Sequence, residues 1–387
     1  MQPPLVLGIE TSCDDTACAV MDGVGRVLSS VVSRQLAAHR PYGGVVPEIA
    51  SREHLASWLP VSETALAEAG VTPRQLDVIA ATRGPGLVGA LLVGLALGKA
   101  LAYALERPFH AVHHLEGHLY SPFLDAGIGA AARPAAAPPA TFHGLVLSGG
   151  HSSLFAVAAG RVTTLGETRD DAFGEVFDKV GKRLGLPYPQ GPLVDELAER
   201  GDPAALRLPV PACGDSLDFS YSGLKSQTLT EIERLERRLG RRLDEPAGGA
   251  LGEAGEPQQP VLDLLAAFRA AAVAQVLHRL ERLMETMAGG GLVVSQGGGA
   301  PPPAAGEAGR PLLAVSGGAA ANRLLRRELA AWSERRGIDL RLVPLVYAGD
   351  NAAMIAHAAL LRQRRGQSDD PFAAEAESRI PIELAGA

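Results

Sequence analysis

Short apolar runs that end in glycine-rich or acidic turns alternate along this chain with longer stretches of helical period, and that alternation predicts an α/β architecture. LVLGIE at 5–10 reads as a first strand, with antiparallel partners at 16–20 and 26–32. A helix over 47–59 should stop at Pro60, because proline removes a helical N–H and crowds the preceding turn. A strand at 77–82, the turn RGPG at 83–86 and a long apolar helix over 87–105 follow. That helix has the length of a membrane span, but Lys99 interrupts it and glycines dilute it, so it reads as a helix buried in a soluble core and no transmembrane helix is expected. Further on, the pattern predicts a strand over 144–160, a long helix over 261–287 and a closing helix over 350–364 that begins at Asp350.

Between these elements, 126–140 is rich in alanine and proline, and 245–260 and 296–311 lack any hydrophobic period; all three read as flexible linkers or insertions. The 387 residues are 47% hydrophobic and 20% charged, enough for a substantial core and for two domains or more. A net charge of −7 does not advertise a polyanion binder, although a local patch or a partner subunit can supply a basic face. The densest basic run, RLERRLGRRL at 234–243, carries interspersed glutamates and fits a solvated amphipathic helix. Three cysteines (Cys13, Cys18 and Cys213) form no zinc-ribbon spacing and point to a reducing compartment, and the N-terminus lacks a basic n-region, so a cytoplasmic location is expected.

Candidate chemistry begins with HLEGH. His114 and His118 are four residues apart and project about 40° from one another around a helix axis, so both imidazoles reach one ion. The same spacing also suits a solvated or core-satisfied helix face. With Asp350 they would form a two-histidine, one-carboxylate metal site, although Asp350 read alone fits a helix cap. Glu116 sits roughly 180° from the bisector of the two rings, whereas the glutamate of an HExxH protease sits about 80° away, so a helical Glu116 cannot serve as a metal-side base. Three turns after apolar strands complete the set: IETSCDDTA at 9–17, LSGGHSS at 147–153 and VSGGAAAN at 315–322. Glycines at such turns let backbone N–H groups approach a phosphate, and the two SGG copies read as equivalent turns of a weakly repeated domain that clasp a nucleotide from two sides.

The ordered series LGIETSCDDTA, GGVVPEIASREH, GPGLVGALLVGLALGKALA, HLEGHLYS, LSGGHSSL, DDAFGEVFDKVGKRLGLPYPQGP, FSYSGLKS, VSGGAAANRLLR and GDNAAMIA resembles the tRNA adenosine threonylcarbamoyltransferase (TsaD) family almost from end to end. The resemblance implies the actin, Hsp70 and sugar-kinase fold, an α/β fold of two lobes with a ligand cleft between them. Lobe I would be 1–125 plus 345–387, with the first phosphate-type turn and the metal ligands, and lobe II 141–344, with both SGG turns. It implies iron (Fe2+) or zinc on His114, His118 and Asp350. It implies substrate contacts at Leu147, Ser148, Gly149, Gly150, His151, Asp178, Gly191, Asp195 and Asn322, and an acidic pair, Asp14 and Asp15, near the reaction. The implied reaction moves a threonylcarbamoyl group from threonylcarbamoyl-adenylate to N6 of adenosine 37 in tRNAs reading codons that start with A. The implied partners are tRNA, a paralogous dimerising subunit (TsaB-like) and a small ATPase (TsaE-like), with no membrane. Against the family pattern, Asp15 replaces a common glutamate, Leu147 a common valine and Gly349 a common threonine. Two rival classes stand beside it: an ATP-dependent small-molecule kinase, which has no need of His114 and His118, and a metalloprotease, which has no need of the SGG turns.

Overall fold

Each of the first three apolar runs becomes a strand of one mixed sheet in the computed structural model, which describes residues 3–210, 213–245, 250, 257–288 and 310–382. The chain divides into two units, Met1–Pro139 with Arg341–Ala387, and Ala140–Leu340. In the first unit β1 (Leu5–Glu10), β2 (Asp15–Asp22) and β3 (Val27–Arg34) form an antiparallel meander. Then come α1 (Leu36–His39), α2 (Pro47–Ala69), β4 (Val78–Gly84), α3 (Val88–Leu105), β5 (Phe109–His113) and α4 (His114–Tyr120). β4 lies parallel to β1 and β5 parallel to β4, which gives the order β3-β2-β1-β4-β5.

The second unit repeats this plan. β6 (Thr141–Leu147), β7 (Ser152–Ala158) and β8 (Arg161–Glu167) form its meander. They are followed by α5 (Phe173–Arg183), α6 (Gln190–Ala198), α7 (Ser222–Leu239), α8 (Gln259–Ala288), β9 (Leu312–Ser316), α9 (Arg323–Arg336) and β10 (Asp339–Leu342), and the sheet order is β10-β9-β6-β7-β8. α10 (Ala352–Arg364) then packs in the first unit against β1, β2 and α4.

Several expectations change. α2 runs through Pro60 to Ala69; the bond that Pro60 cannot make belongs to the carbonyl of exposed Ala56, on the outer face of the helix, so little buried hydrogen bonding is lost. The predicted strand over 144–160 is a hairpin of β6 and β7 around the SGG turn. The two SGG turns are not equivalent positions of a repeat: they end β6 and β9, adjacent parallel strands of one sheet, with Val146 opposite Ser316. The repeat lies between the sheets, and it matches the β6–β7 turn with the β1–β2 turn. Of the three proposed linkers, 126–140 carries a 3-10 turn at Gly129–Ala131 and a hydrogen bond from Ala136 N–H to the Phe123 carbonyl; most of 245–260 and 296–311 lies outside the described residues.

Among the described residues, two helices are long and apolar enough to cross a membrane by length and composition, Val88–Leu105 and Gln259–Ala288. α8 is mostly buried in the second unit against α6, α7 and α9. α3 buries only one face, through Ala90, Leu91, Gly94, Leu95, Gly98 and Ala102, and exposes Val88, Leu92 and Tyr103 on the other. The expectation of a helix buried in the core holds for that one face only.

Two close approaches bring α10 to the strand ends. A Cβ on Gly8 of β1 would lie 2.3 Å from the Ala352 carbonyl oxygen, and one on Gly117 of α4 would lie 2.9 Å from Ile355 Cδ1. Only glycine permits this spacing, and the start of α10 is thereby seated beside Glu10 and the HLEGH helix.

Candidate metal centre and glycine turns

α4 begins where β5 ends, with His113 as its N-cap: the His113 ring accepts from Leu115 N–H at 3.2 Å through Nδ1. The helix is short and buried throughout. His114 and His118 stand on one face, with ring centroids 4.7 Å apart and planes at 83°. Asp350 meets them from the turn before α10. Its Oδ1 is 3.2 Å from His118 Nε2 and 3.6 Å from His114 Nε2, and one donor atom from each of the three residues lies within 4.8 Å of the others. The cap reading of Asp350 fails because Asn351 takes that job: its side chain accepts from Met354 N–H at 3.0 Å. Asp350 is therefore not needed by the helix backbone and can serve as a ligand.

Glu116 points elsewhere, as the helical geometry requires. It forms a buried ion pair with Arg362 of α10, Nη2 to Oε2 at 2.5 Å and Nε to Oε1 at 3.2 Å. No metalloprotease base is available from that position. The pair instead locks α4 to α10, the two elements that bring the histidines and Asp350 together.

The donor set fits a dication. Two imidazoles and one carboxylate leave coordination positions open and suit iron, zinc and similar metals. His118 is fully buried and its Nδ1 has no hydrogen-bond partner among the described residues. Burial would depress the His114 imidazole, but the carboxylates of Glu10 and Asp350 outweigh it and push His114 up to about 9, while burial holds His118 below its ordinary value.

Glu10 has no place among the sequence-level candidates, yet it is wholly buried 3.1 Å from His114 Nδ1. The available signal was an acid closing an otherwise apolar strand. Asp14 and Asp15 lie on the β1–β2 turn and the first position of β2. Burial, with the charges of Asp350 and Asp14, pushes the Asp15 carboxyl up to about 7 against the pull of Arg34, its cross-strand neighbour.

The candidate substrate residues all lie in the second unit. Leu147 is buried and offers only its backbone; Ser148 to His151 form the tight turn, in which Ser148 N–H donates to the His151 carbonyl at 2.8 Å and His151 N–H to Ser148 Oγ at 3.1 Å. Gly149 and Gly150 are exposed and meet nothing that a Cβ would touch. The start of α5 abuts this turn through Gly174 N–H to the Ser148 carbonyl at 3.1 Å. Asp178 Oδ1 accepts from Gly191 N–H at 2.7 Å, joining α5 to α6. Asp195 and Asn322 both hold the start of α9: Asp195 Oδ2 accepts from Arg323 N–H at 3.0 Å, and Asn322 caps the helix through Leu325 N–H at 2.9 Å. Asp195 Oδ1 also accepts from buried Arg269 at 3.0 Å. The geometry thus shows Asp195 and Asn322 shaping the turn that β9 delivers.

Comparison with known proteins agrees with this arrangement. The family model described as TsaD, tRNA N6-adenosine threonylcarbamoyltransferase, matches residues 26–357. A tRNA N6-adenosine threonylcarbamoyltransferase of Pelobacter propionicus is 46% identical over 354 residues, 91% of this chain and 90% of that protein. One of Sorangium cellulosum is 43% identical over 383 residues, 97% of each. Among solved structures, HypF from T. kodakarensis superimposes with a TM-score of 0.54 at 14% identity over 94% of this chain and 48% of its own, and full-length HypF in a phosphate- and nucleotide-bound form with 0.53 at 12% identity over 95% and 56%. These likenesses concern the fold, which is the actin, Hsp70 and sugar-kinase-like α/β fold expected.

Proposed function

The chain belongs to the tRNA N6-adenosine threonylcarbamoyltransferase family, and from that premise we propose that it moves the threonylcarbamoyl group of threonylcarbamoyl-adenylate onto N6 of adenosine 37 in tRNAs reading codons that start with A. The N6 amine attacks the carbamoyl carbon, the bond to the AMP phosphate breaks, and one proton leaves N6, giving modified tRNA and AMP. Neither a kinase nor a protease reading finds support. A kinase has no use for the His114, His118 and Asp350 cluster, and a protease lacks its base because Glu116 is bound to Arg362.

The observation that carries this reading is the meeting of the His114 and His118 pair with Asp350, 232 positions beyond His118, in a chain that the family model matches over residues 26–357. Iron or zinc on His114, His118 and Asp350 supplies a Lewis acid for a carbonyl or phosphate oxygen. Asp15, with Asp14 beside it, accepts the N6 proton: burial holds its carboxyl near neutrality, and a nearby dication would draw it lower and keep it ionised. The Leu147–His151 turn and the Asp178, Gly191, Asp195 and Asn322 positions serve the adenylate, through exposed amides at Gly149 and Gly150 and the start of α9.

The outward face of α3, with its neighbour α2, exposes Leu55, Leu59, Val88, Leu92 and Tyr103. Such an apolar face on packed neighbouring helices suits the paralogous dimerising subunit, and a small ATPase completes the set by family likeness. The reaction belongs in the cytoplasm, with its tRNA. To test the assignment, tRNA is incubated with preformed threonylcarbamoyl-adenylate, the partner subunits and either the wild-type chain or a His114→Ala, His118→Ala variant. Modified adenosine should form with the first and fall at least about 100-fold with the second; undiminished transfer by the variant would refute the metal-site role.

A further inference from the structure

Glu10 ends β1 with its side chain fully buried, and three groups converge on its carboxylate. Ser12 N–H donates to Oε1 at 2.5 Å, the Thr82 hydroxyl donates to Oε2 at 2.6 Å, and His114 Nδ1 lies 3.1 Å from the same Oε2. The Ser12 hydroxyl also lies 3.2 Å from this nitrogen, but an ionised carboxylate only accepts, so Nδ1 carries the hydrogen of its contact with Glu10. The opposite nitrogen, Nε2, is then the one turned toward Asp350 Oδ1. We propose that Glu10 is a positioning residue of the metal centre: it fixes the tautomer and ring plane of His114 so that Nε2 faces the ion.

This inference rests on the reading that His114, His118 and Asp350 hold a metal. It adds a fourth residue from a different element, 104 positions away from His114. The two ligand histidines are unequal in this respect. His114 is braced by a carboxylate that is itself braced by Ser12 and Thr82, whereas Nδ1 of His118 has no partner among the described residues. A carboxylate behind a ligand imidazole fixes its orientation and raises its basicity, and loss of such a partner typically weakens metal binding 10- to 100-fold. Charge agrees with the assignment. Glu10 and Asp350 set two carboxylates beside the one ion, and of the two Glu10 is the one wholly buried.

The test is metal affinity in protein stripped with a chelator, dialysed, and titrated with Co2+ or Zn2+ against a chromophoric competitor. Glu10→Gln keeps the size of the side chain and removes its charge; it should weaken binding about 10- to 100-fold and shift the visible spectrum of the Co2+ form. Thr82→Val removes the hydroxyl that braces Oε2 and leaves Glu10 in place, so it should weaken binding by a smaller factor, about three- to tenfold, and it keeps the question open to measurement if Glu10→Gln does not fold. Affinity within about twofold of wild type in Glu10→Gln, or in Thr82→Val where that is the folded variant, while Asp350→Asn abolishes binding, would overturn the role of Glu10 and leave the metal site standing. A wild-type protein that binds neither ion would instead remove the metal reading on which the inference is built.

Discussion

Both units thread five strands in one order, with the two meander partners on one side of the first strand and two later strands on the other, yet the corner after the first strand carries opposite chemistry in each. In the first unit the β1–β2 corner is lined by Glu10, Asp14 and Asp15 and is met by His114, His118 and Asp350. In the second, the matching β6–β7 corner offers Gly149 and Gly150, bare backbone with open space around each. Topology sets where a corner falls, and the side chains at that corner decide whether it gathers a cation or presents amides to an anion.

The units also share a buried arginine, and here the comparison is open to a direct break. Arg362 depends on Glu116, with further contacts to the Ala111 carbonyl and to Asp369 at 3.4 Å. Arg269 has both Asp195 and Glu199. Glu116→Gln removes the main countercharge of a desolvated guanidinium and should destabilise the protein by roughly 3–5 kcal/mol, whereas Asp195→Asn leaves Glu199 in place and should cost about 1–2 kcal/mol. Urea unfolding gives the totals, and hydrogen exchange locates the first loss in α4 and α10 and the second in α6 and α9. Equal losses would show that the two arginines are supported alike.

How much of this is legible in the sequence depends on the range of each interaction. The His114 and His118 pair follows from the period of one short helix. Asp350 was harder, since Asp350 and Asn351 are both good caps and only packing shows that Asn351 is the one used. Glu10 could not be paired with His114 from a local pattern, because the contact spans two strands and a helix. The SGG turns misled for the reverse reason: identical tripeptides close neighbouring strands of one sheet, while the corners that are equivalent, IETSC and LSGGH, share little sequence. Pro60 misled because the rule against interior proline assumes a buried or needed hydrogen bond, and α2 presents that bond outward.

Backbone strain gives a second, smaller contrast within the glycine turns themselves. Gly317 has φ +93°, and a Cβ there would lie 2.2 Å from the Leu147 carbonyl oxygen, so the β9 turn packs directly against the strand that leads to the other SGG. Gly317→Ala should cost about 2–3 kcal/mol in thermal or urea unfolding. Gly149→Ala meets nothing within 4 Å and should change stability by less than about 0.5 kcal/mol, so any loss it causes should be in adenylate binding alone. If Gly149→Ala proved the more destabilising, the open surface assigned to the β6–β7 corner would be wrong.

Acid sensitivity supplies the smallest difference, and it turns on opposing signs. Burial pushes His113 and His357 in the first unit, and His143 in the second, down to about 4. The folded forms therefore refuse a proton that the unfolded chain accepts below about 6.5, so stability that is full above that pH falls through the interval from 6.5 to 4.5 by about 1 kcal/mol per pH unit for each group. Asp15 works the other way. Its folded value of about 7 lies above the ordinary aspartate range, so the folded state gains protons first and stability rises as pH drops across the same interval. In metal-free protein Asp15 thus offsets the slope that one such buried histidine contributes. Asp15→Asn removes the offset, and the slope of unfolding free energy against pH should steepen by about 1 kcal/mol per unit between 6.5 and 4.5. An unchanged slope would mean that Asp15 titrates as an ordinary surface acid, which would take away the electrostatic ground for its role as the proton acceptor and leave the first corner less distinct from the second.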